Sequence, residues 1–109
     1  MGIKEIIERC RKFEIYQQRR VTDNYAEIVM LTDEIMSWSA VFNEILGDPV
    51  SPAGVTPTAE HTQITSEYGG IFADQTLYKK DFPENTIIAM FWPWQDGKRI
   101  TVKVVILPK

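Results

Sequence analysis

The pattern of hydrophobic and polar positions changes near the middle of the chain. Residues 3–46 contain neither Gly nor Pro, whereas all six prolines and four of the six glycines follow Gly47. Glycine and proline interrupt helices and mark turns. The contrast therefore predicts a helical first half and a second half built from short strands, with the boundary near Gly47.

The first half predicts a helical hairpin. A narrow apolar stripe recurs at helical spacing at Ile3, Ile6, Ile7, Cys10 and Phe13. This pattern fades over residues 17–20. Thr22 and Asp23 then offer side-chain oxygens that can accept hydrogen bonds from the free N–H groups of a new helix. One continuous helix over residues 3–46 remains an alternative, because nothing near Arg20 breaks a helix.

The second predicted helix ends at Leu46. Gly47 suits the left-handed residue that commonly follows a helix, and Pro49 prevents continuation. The helix has a wide apolar arc, with one side formed by Ile28, Leu31, Ile35, Trp38, Phe42 and Ile45. An arc this wide predicts a helix that is covered from two sides.

The second half predicts an antiparallel meander. Residues 48–60 form a proline-rich connector, and four strand-like runs follow, weak at 61–68 and 71–78 and strong at 86–92 and 98–107. Gly69-Gly70 marks a turn, residues 79–85 form the next connection, and Asp96-Gly97 is typical of a tight hairpin. The sequence therefore predicts a single α+β domain over residues 1–109, with a helical part (1–47), a connector (48–60) and a β part of three to four strands (61–109).

The last hairpin can be threaded in register around Asp96-Gly97. Trp92 then pairs with Thr101, and Met90 pairs with Lys103. One face of the hairpin is uniformly apolar and forms a natural core face, while the other carries Met90, Trp92, Trp94, Arg99 and Lys103. Aromatic rings beside cations are typical of binding surfaces. We therefore predict a binding interface at these five residues; the alternative is that the helices cover this face.

Composition narrows the possible functions. The 109 residues are 44% hydrophobic and carry a net charge of −3, which fits a folded domain and lacks the basic excess of most nucleic-acid binders. No run approaches the ~20 apolar residues that cross a bilayer. The single Cys10 cannot form an intrachain disulfide, so we expect a cytoplasmic protein. Residues 1–20 have a net charge of +3 and residues 21–48 of −6, which fits either paired helices or separately solvated faces.

Few residues offer catalytic chemistry. His61 is the only histidine, and its acidic neighbours Glu60 and Glu67 form no metal-binding motif with it. Cys10 lies on the apolar stripe, where a cysteine behaves as a small hydrophobe. Phosphate-binding loops and nucleophile motifs are absent from the sequence. We therefore predict no cofactor and no metal, and we expect binding rather than catalysis.

Two functions fit these observations. The first is a non-enzymatic protein-binding or assembly subunit, homo-oligomeric or bound to another protein, without nucleic acid or membrane. The alternative is a cone-shaped α+β domain that encloses an apolar ligand pocket, with weakly acid–base catalytic carboxylates. The predicted architecture is similar to cystatin-like cones and to some small virion-assembly proteins. The two functions differ in whether Trp38, Trp92 and Trp94 surround a cavity or lie at an interface.

Overall fold

A five-stranded antiparallel sheet organises residues 2–108, the part of the chain that the computed structural model describes. The strands are β1 (Ile15–Val21), β2 (Tyr25–Leu31), β3 (Thr76–Asp81), β4 (Asn85–Pro93) and β5 (Arg99–Pro108). The helices are α1 (Ile3–Cys10), α2 (Ile35–Leu46) and α3 (Ala59–Thr65), with short 3-10 turns at Thr32–Glu34 and Ser66–Tyr68. In the sheet order β1-β2-β5-β4-β3, the last three strands form the predicted meander. The α+β class is confirmed.

The predicted helical hairpin is wrong over residues 15–31, which form the β1–β2 hairpin instead. Thr22 does accept hydrogen bonds from backbone N–H groups, at 3.4 Å from Asn24 and 3.1 Å from Tyr25. Its own N–H donates to the Tyr25 carbonyl oxygen at 2.8 Å and so closes a hairpin turn. Threonine hydroxyls make the same local hydrogen bonds in helix caps and in turns. The capping signal was therefore real, but it marks a turn.

The inner face of the sheet, which α1 and α2 cover, holds the main core. Ala26, Ile28 and Met30 alternate along β2 and are fully buried on this face. On α2, Trp38 and Phe42 are also fully buried, and the Phe42 ring lies 5.3 Å from that of Phe91 in an edge-on arrangement. The predicted inner-facing residues of the last hairpin join this cluster: Ile87, Ala89, Phe91, Ile100, Val102, Val104 and Ile106.

Helix α2 ends as predicted. Gly47 has a φ of 81°, and its N–H donates to the Asn43 carbonyl oxygen at 2.9 Å. Helix α1 is joined to α2 by an ion pair of 2.7 Å between Arg9 and Glu44. In residues 2–108, no helix has both the length and the apolar character needed to cross a membrane.

The weak strand predicted at residues 61–68 is wrong, because this segment forms α3 and the 3-10 turn that follows it. Thr58 caps α3 by accepting a hydrogen bond from the His61 N–H at 3.2 Å. The β-branched residues of this segment suggested a strand. On the helix, however, Ile64 and Thr65 face the sheet. The turn at Gly69-Gly70 is confirmed by φ values of 100° and 83°. Strand β3 begins at Thr76 and extends to Asp81, into the predicted connection.

Candidate functional site

The β4–β5 hairpin has the predicted register. Trp92 pairs with Thr101 and Met90 with Lys103, and both strands begin and end within one residue of the predicted bounds. The hairpin loop is held by Asp96, whose Oδ1 accepts a hydrogen bond from the Lys98 N–H at 2.8 Å. Trp92, Arg99 and Lys103 therefore belong to the face opposite Phe91. We call it the outer face of the sheet.

One half of the outer face is covered by α3 and the residues that follow it. Met90 is fully buried there, in a second apolar cluster against which Ile64 and Tyr68 also pack. Lys103 lies with its Nζ 3.6 Å from the centre of the Trp92 ring, and Nζ donates a hydrogen bond of 2.9 Å to the Tyr68 carbonyl oxygen. Burial lowers the pKa of Lys103, an effect that the charge of Glu27 partly offsets.

Gly69 allows this close cover. Its φ of 100° disfavours residues with a side chain, and a Cβ atom there would overlap the edge of the Trp92 ring. Three of the predicted interface residues, Met90, Trp92 and Lys103, therefore lie in the covered half. The other two, Trp94 and Arg99, lie in the open half.

Strand β1 contributes the remaining residues of the open half. The β1–β2 ladder is irregular at two places, between Ile15 and Gln17 and between Gln18 and Arg20. Bulges of this kind redirect side chains and increase the local twist. Tyr16 and Arg19 occupy the two irregular positions and reach the outer face, where they meet Arg99 and Trp94.

The side chains of the open half interleave cations and rings. The Arg99 guanidinium carbon lies 4.4 Å from the Tyr16 ring centre and 5.2 Å from that of Trp94. The Arg19 guanidinium carbon lies 5.7 Å from the Trp94 ring centre. The indole N–H of Trp94 donates to Thr101 Oγ1 at 2.8 Å, which fixes the ring. We call Tyr16, Arg19, Trp94 and Arg99 the cation–aromatic surface.

Two carboxylates border the surface. Glu27 pairs with Arg19 at 3.1 Å and accepts a 2.7 Å hydrogen bond from the Tyr25 hydroxyl. Burial alone would raise the pKa of Glu27, but these hydrogen bonds and the charge of Lys103 lower it below its usual value. Asp96 lies 3.4 Å from Arg99. Within residues 2–108, no carboxylate pairs with Arg20, which stacks 6.0 Å from the Tyr25 ring. The outer face near β1 therefore carries a cationic excess.

A cleft of about 600 Å³ separates β1 and β2 from the 3-10 turn after α3. Tyr25 and Tyr68 stack near its floor, with their ring centres 6.1 Å apart. Its walls are largely polar and include Arg20, Glu27 and Glu67. Trp38 lies on the other side of the sheet, within the main core. The three tryptophans thus do not surround one cavity.

Sequence reasoning missed Tyr16, Arg19 and Glu27 because it placed them on helices. The signal that could have located them is the Thr22-Asp23-Asn24 turn, flanked by β-branched and aromatic residues. A hairpin at that turn places Arg20 opposite Glu27, and the irregularity between Gln18 and Arg20 brings the Arg19 side chain to Glu27 as well. The contacts with Trp94 and Arg99 require the pairing of β2 with β5, which no local pattern specifies.

The other candidate reactive groups lie apart. Cys10 is fully buried, and burial raises the pKa of its thiol to about 12. His61 lies in the first turn of α3, on the far side of the sheet from Cys10. Among residues 2–108, no group of three His, Cys, Asp or Glu side chains is arranged to hold a metal ion. The arrangement on the outer face can bind a partner by stacking and charge.

Comparison of the chain with protein-family models, with curated proteins and with solved structures gives no significant match.

Proposed function

We propose that this protein is a non-enzymatic binding or assembly subunit that contacts an acidic protein surface through Tyr16, Arg19, Trp94 and Arg99. The observation that supports this most strongly is the position of the Arg99 guanidinium between two aromatic rings. A guanidinium stacked in this way keeps its N–H groups at the ring edges, where a carboxylate can accept them. The rings contribute apolar contact area at low conformational cost.

The exposure of the surface supports the same proposal. Tyr16 is 50% exposed. This exposure is high for tyrosine, whose ring commonly packs against apolar neighbours. The side chains of Arg19 and Arg99 are 39% and 33% exposed, respectively. Aromatic residues and arginine are enriched at the energetic centres of protein interfaces. A partner with an apolar centre and an acidic rim would complement such a surface in both shape and charge.

The alternative of an enclosed apolar pocket has less support. Trp38 lies in the main core, on the opposite side of the sheet from Trp92 and Trp94. The cleft beside Tyr25 is bordered by charged side chains. A cytoplasmic location remains part of this proposal, because the single Cys10 is free and cannot form an intrachain disulfide.

Fluorescence anisotropy of a labelled peptide tests the proposal. The probe is a short fluorescein-labelled peptide with central leucines flanked by glutamates, and the control probe carries lysines in place of the glutamates. We expect the protein to bind the glutamate peptide and not the lysine peptide. The Arg99→Met variant should bind at least about tenfold more weakly, which corresponds to about 1.4 kcal/mol.

A matched variant controls for general charge. Lys98→Met removes an exposed cation from the same hairpin loop and should leave binding within about twofold, because rim charges contribute little to affinity. Equal binding of both peptides, or wild-type affinity in Arg99→Met, would contradict the proposed function.

A further inference from the structure

We infer that the acidic partner is a second copy of this chain, and that copies assemble head to tail with the cation–aromatic surface of one seated on the exposed side of α2 of the next. This inference rests on the proposed function and names its partner. It follows from the surface of α2, from the distribution of charge and from the positions of the two patches in the fold.

The exposed side of α2 has an apolar centre. Met36 is 81% exposed, the highest exposure among the large hydrophobic side chains that reach solvent in residues 2–108. Ala40 and Asn43 follow at helical spacing on the same side and are also exposed. Trp38 and Phe42 occupy the opposite, buried side. Methionine packs favourably against aromatic rings, so Met36 suits the rings of Tyr16 and Trp94.

The rim of this patch is acidic. Four acidic side chains lie on or next to α2, namely Asp33, Glu34, Glu44 and Asp48, and of these Glu44 is paired with Arg9. Asp33 and Glu34 directly precede α2 and lie beside Met36; across residues 2–108, neither forms an ion pair with a cation. Acidic residues at this position also stabilise the helix, because they interact favourably with the positive, N-terminal end of its dipole. That explains the start of the helix, but it does not explain an exposed methionine next to it.

The two patches lie on opposite sides of the sheet, because α2 covers the inner face and the cation–aromatic surface belongs to the outer face. A contact between them leaves one free patch on each copy. Such heterologous contacts generate rings when the rotation closes and filaments when it does not. A two-fold dimer through the cation–aromatic surface alone would leave Met36 on α2 exposed in both copies.

Sedimentation velocity of single variants and of their mixture tests this arrangement. Arg99→Glu removes the sheet patch, and Met36→Lys removes the helix patch. We expect the wild type to sediment as species larger than the 12.6 kDa chain at about 100 μM and each variant alone to sediment as a monomer. An equimolar mixture should form a one-to-one dimer, because each variant retains the patch that the other has lost.

Two further variants keep the test decisive. Tyr16→Asp replaces Arg99→Glu if circular dichroism shows that the latter is unfolded, since Tyr16 is half-exposed at the sheet edge. Val55→Lys places the same charge at a 51% exposed apolar position outside α2 and should leave assembly unchanged.

Three results would overturn the inference: a monomeric wild type, a mixture of variants that stays monomeric, or assembly that persists in Met36→Lys. If the wild type is monomeric but still binds the glutamate peptide through Arg99, the second copy is not the partner and the proposed function stands. If the peptide also fails to bind, both proposals fall.

Discussion

The Arg99 guanidinium carbon lies 4.4 Å from the centre of the Tyr16 ring, a contact that joins β5 to β1 across the intervening strand β2. Val29 lies on β2 between these strands, on the same outer face, and is fully buried. Side chains of the outer face therefore cover an apolar position of β2 that would otherwise face solvent. The contact between Arg99 and Tyr16 links two strands of this face, in addition to the binding role proposed for it.

A double-mutant cycle on this pair should show a small coupling energy. Exposed cation–π contacts contribute about 0.5–1 kcal/mol, so Arg99→Ala and Tyr16→Ala should be less than additive in the free energy of unfolding by about that amount. Urea denaturation of the two single variants and the double variant measures it. The pair of Lys98 and Tyr16 serves as the control cycle and should be additive. If the effects of Arg99→Ala and Tyr16→Ala on the free energy of unfolding were also additive, the contact would contribute nothing to stability.

Trp92 and Trp94 should respond differently to truncation. Trp92 lies under Tyr68 and Gly69, whereas Trp94 lies at the open surface, so Trp92→Ser should cost about 2–4 kcal/mol of stability and Trp94→Ser clearly less. Trp94→Ser should instead weaken binding of the glutamate peptide. Denaturant titration together with peptide anisotropy separates the two effects. If Trp94→Ser were instead the less stable variant, Trp94 rather than Trp92 would be the covered ring.

Gly69→Ala should destabilise the protein more than the same change at Gly54. Both glycines have positive φ values, 100° and 93°, so both variants incur backbone strain of about 1–2 kcal/mol. Only at Gly69 would the new Cβ overlap the Trp92 ring, whereas the space around Gly54 is free within 4 Å. Thermal melting of the two variants measures the difference, which arises mainly from the Trp92 ring and to a smaller extent from Lys103 Nζ, 3.3 Å from the new Cβ. Equal melting temperatures would mean that residues 66–70 do not press on Trp92.

Alkaline pH should destabilise the protein partly through Cys10. Burial raises the pKa of this thiol from 9.0 to about 12 in the folded state, so above pH 9 the unfolded chain loses a proton that the folded chain keeps. The resulting contribution to stability is complete below pH 9 and is lost as the pH rises towards 12. Denaturation of wild type and Cys10→Ala between pH 8 and about 10.5 compares the slopes. The variant, although less stable throughout, should lose less stability over this range; identical slopes would contradict the burial of the thiol.

The sequence predicts the last hairpin well because its signals are local. The alternation of apolar residues in β4 and β5 sets the faces, and the Asp96-Gly97 loop sets the register that pairs Trp92 with Thr101. The end of α2 at Gly47 is equally local, because one residue must take a positive φ, which glycine does most readily.

The first hairpin was not predictable in the same way. Ile28, Leu31 and Ile35 happen to share helical spacing, although Ile28 and Leu31 lie on a strand and only Ile35 lies on α2. What makes residues 25–31 a strand is their pairing with β5, which lies 68 to 80 positions further along the chain. The same pairing brings Tyr16 and Arg19 to Trp94 and Arg99. The site was therefore half predictable: its β4 and β5 residues follow from local pattern, and its β1 residues depend on long-range pairing.

The most direct test of the proposed binding surface is a ¹H–¹⁵N NMR titration with the glutamate–leucine peptide, followed through the three tryptophan indole N–H signals. Trp94 lies in the cation–aromatic surface, Trp92 lies under residues 68–69, and Trp38 lies in the main core on the other side of the sheet. We expect the Trp94 signal to shift in a saturable manner while the Trp38 signal stays in place. A titration that leaves Trp94 unchanged, or that moves Trp38 as much as Trp94, would contradict it.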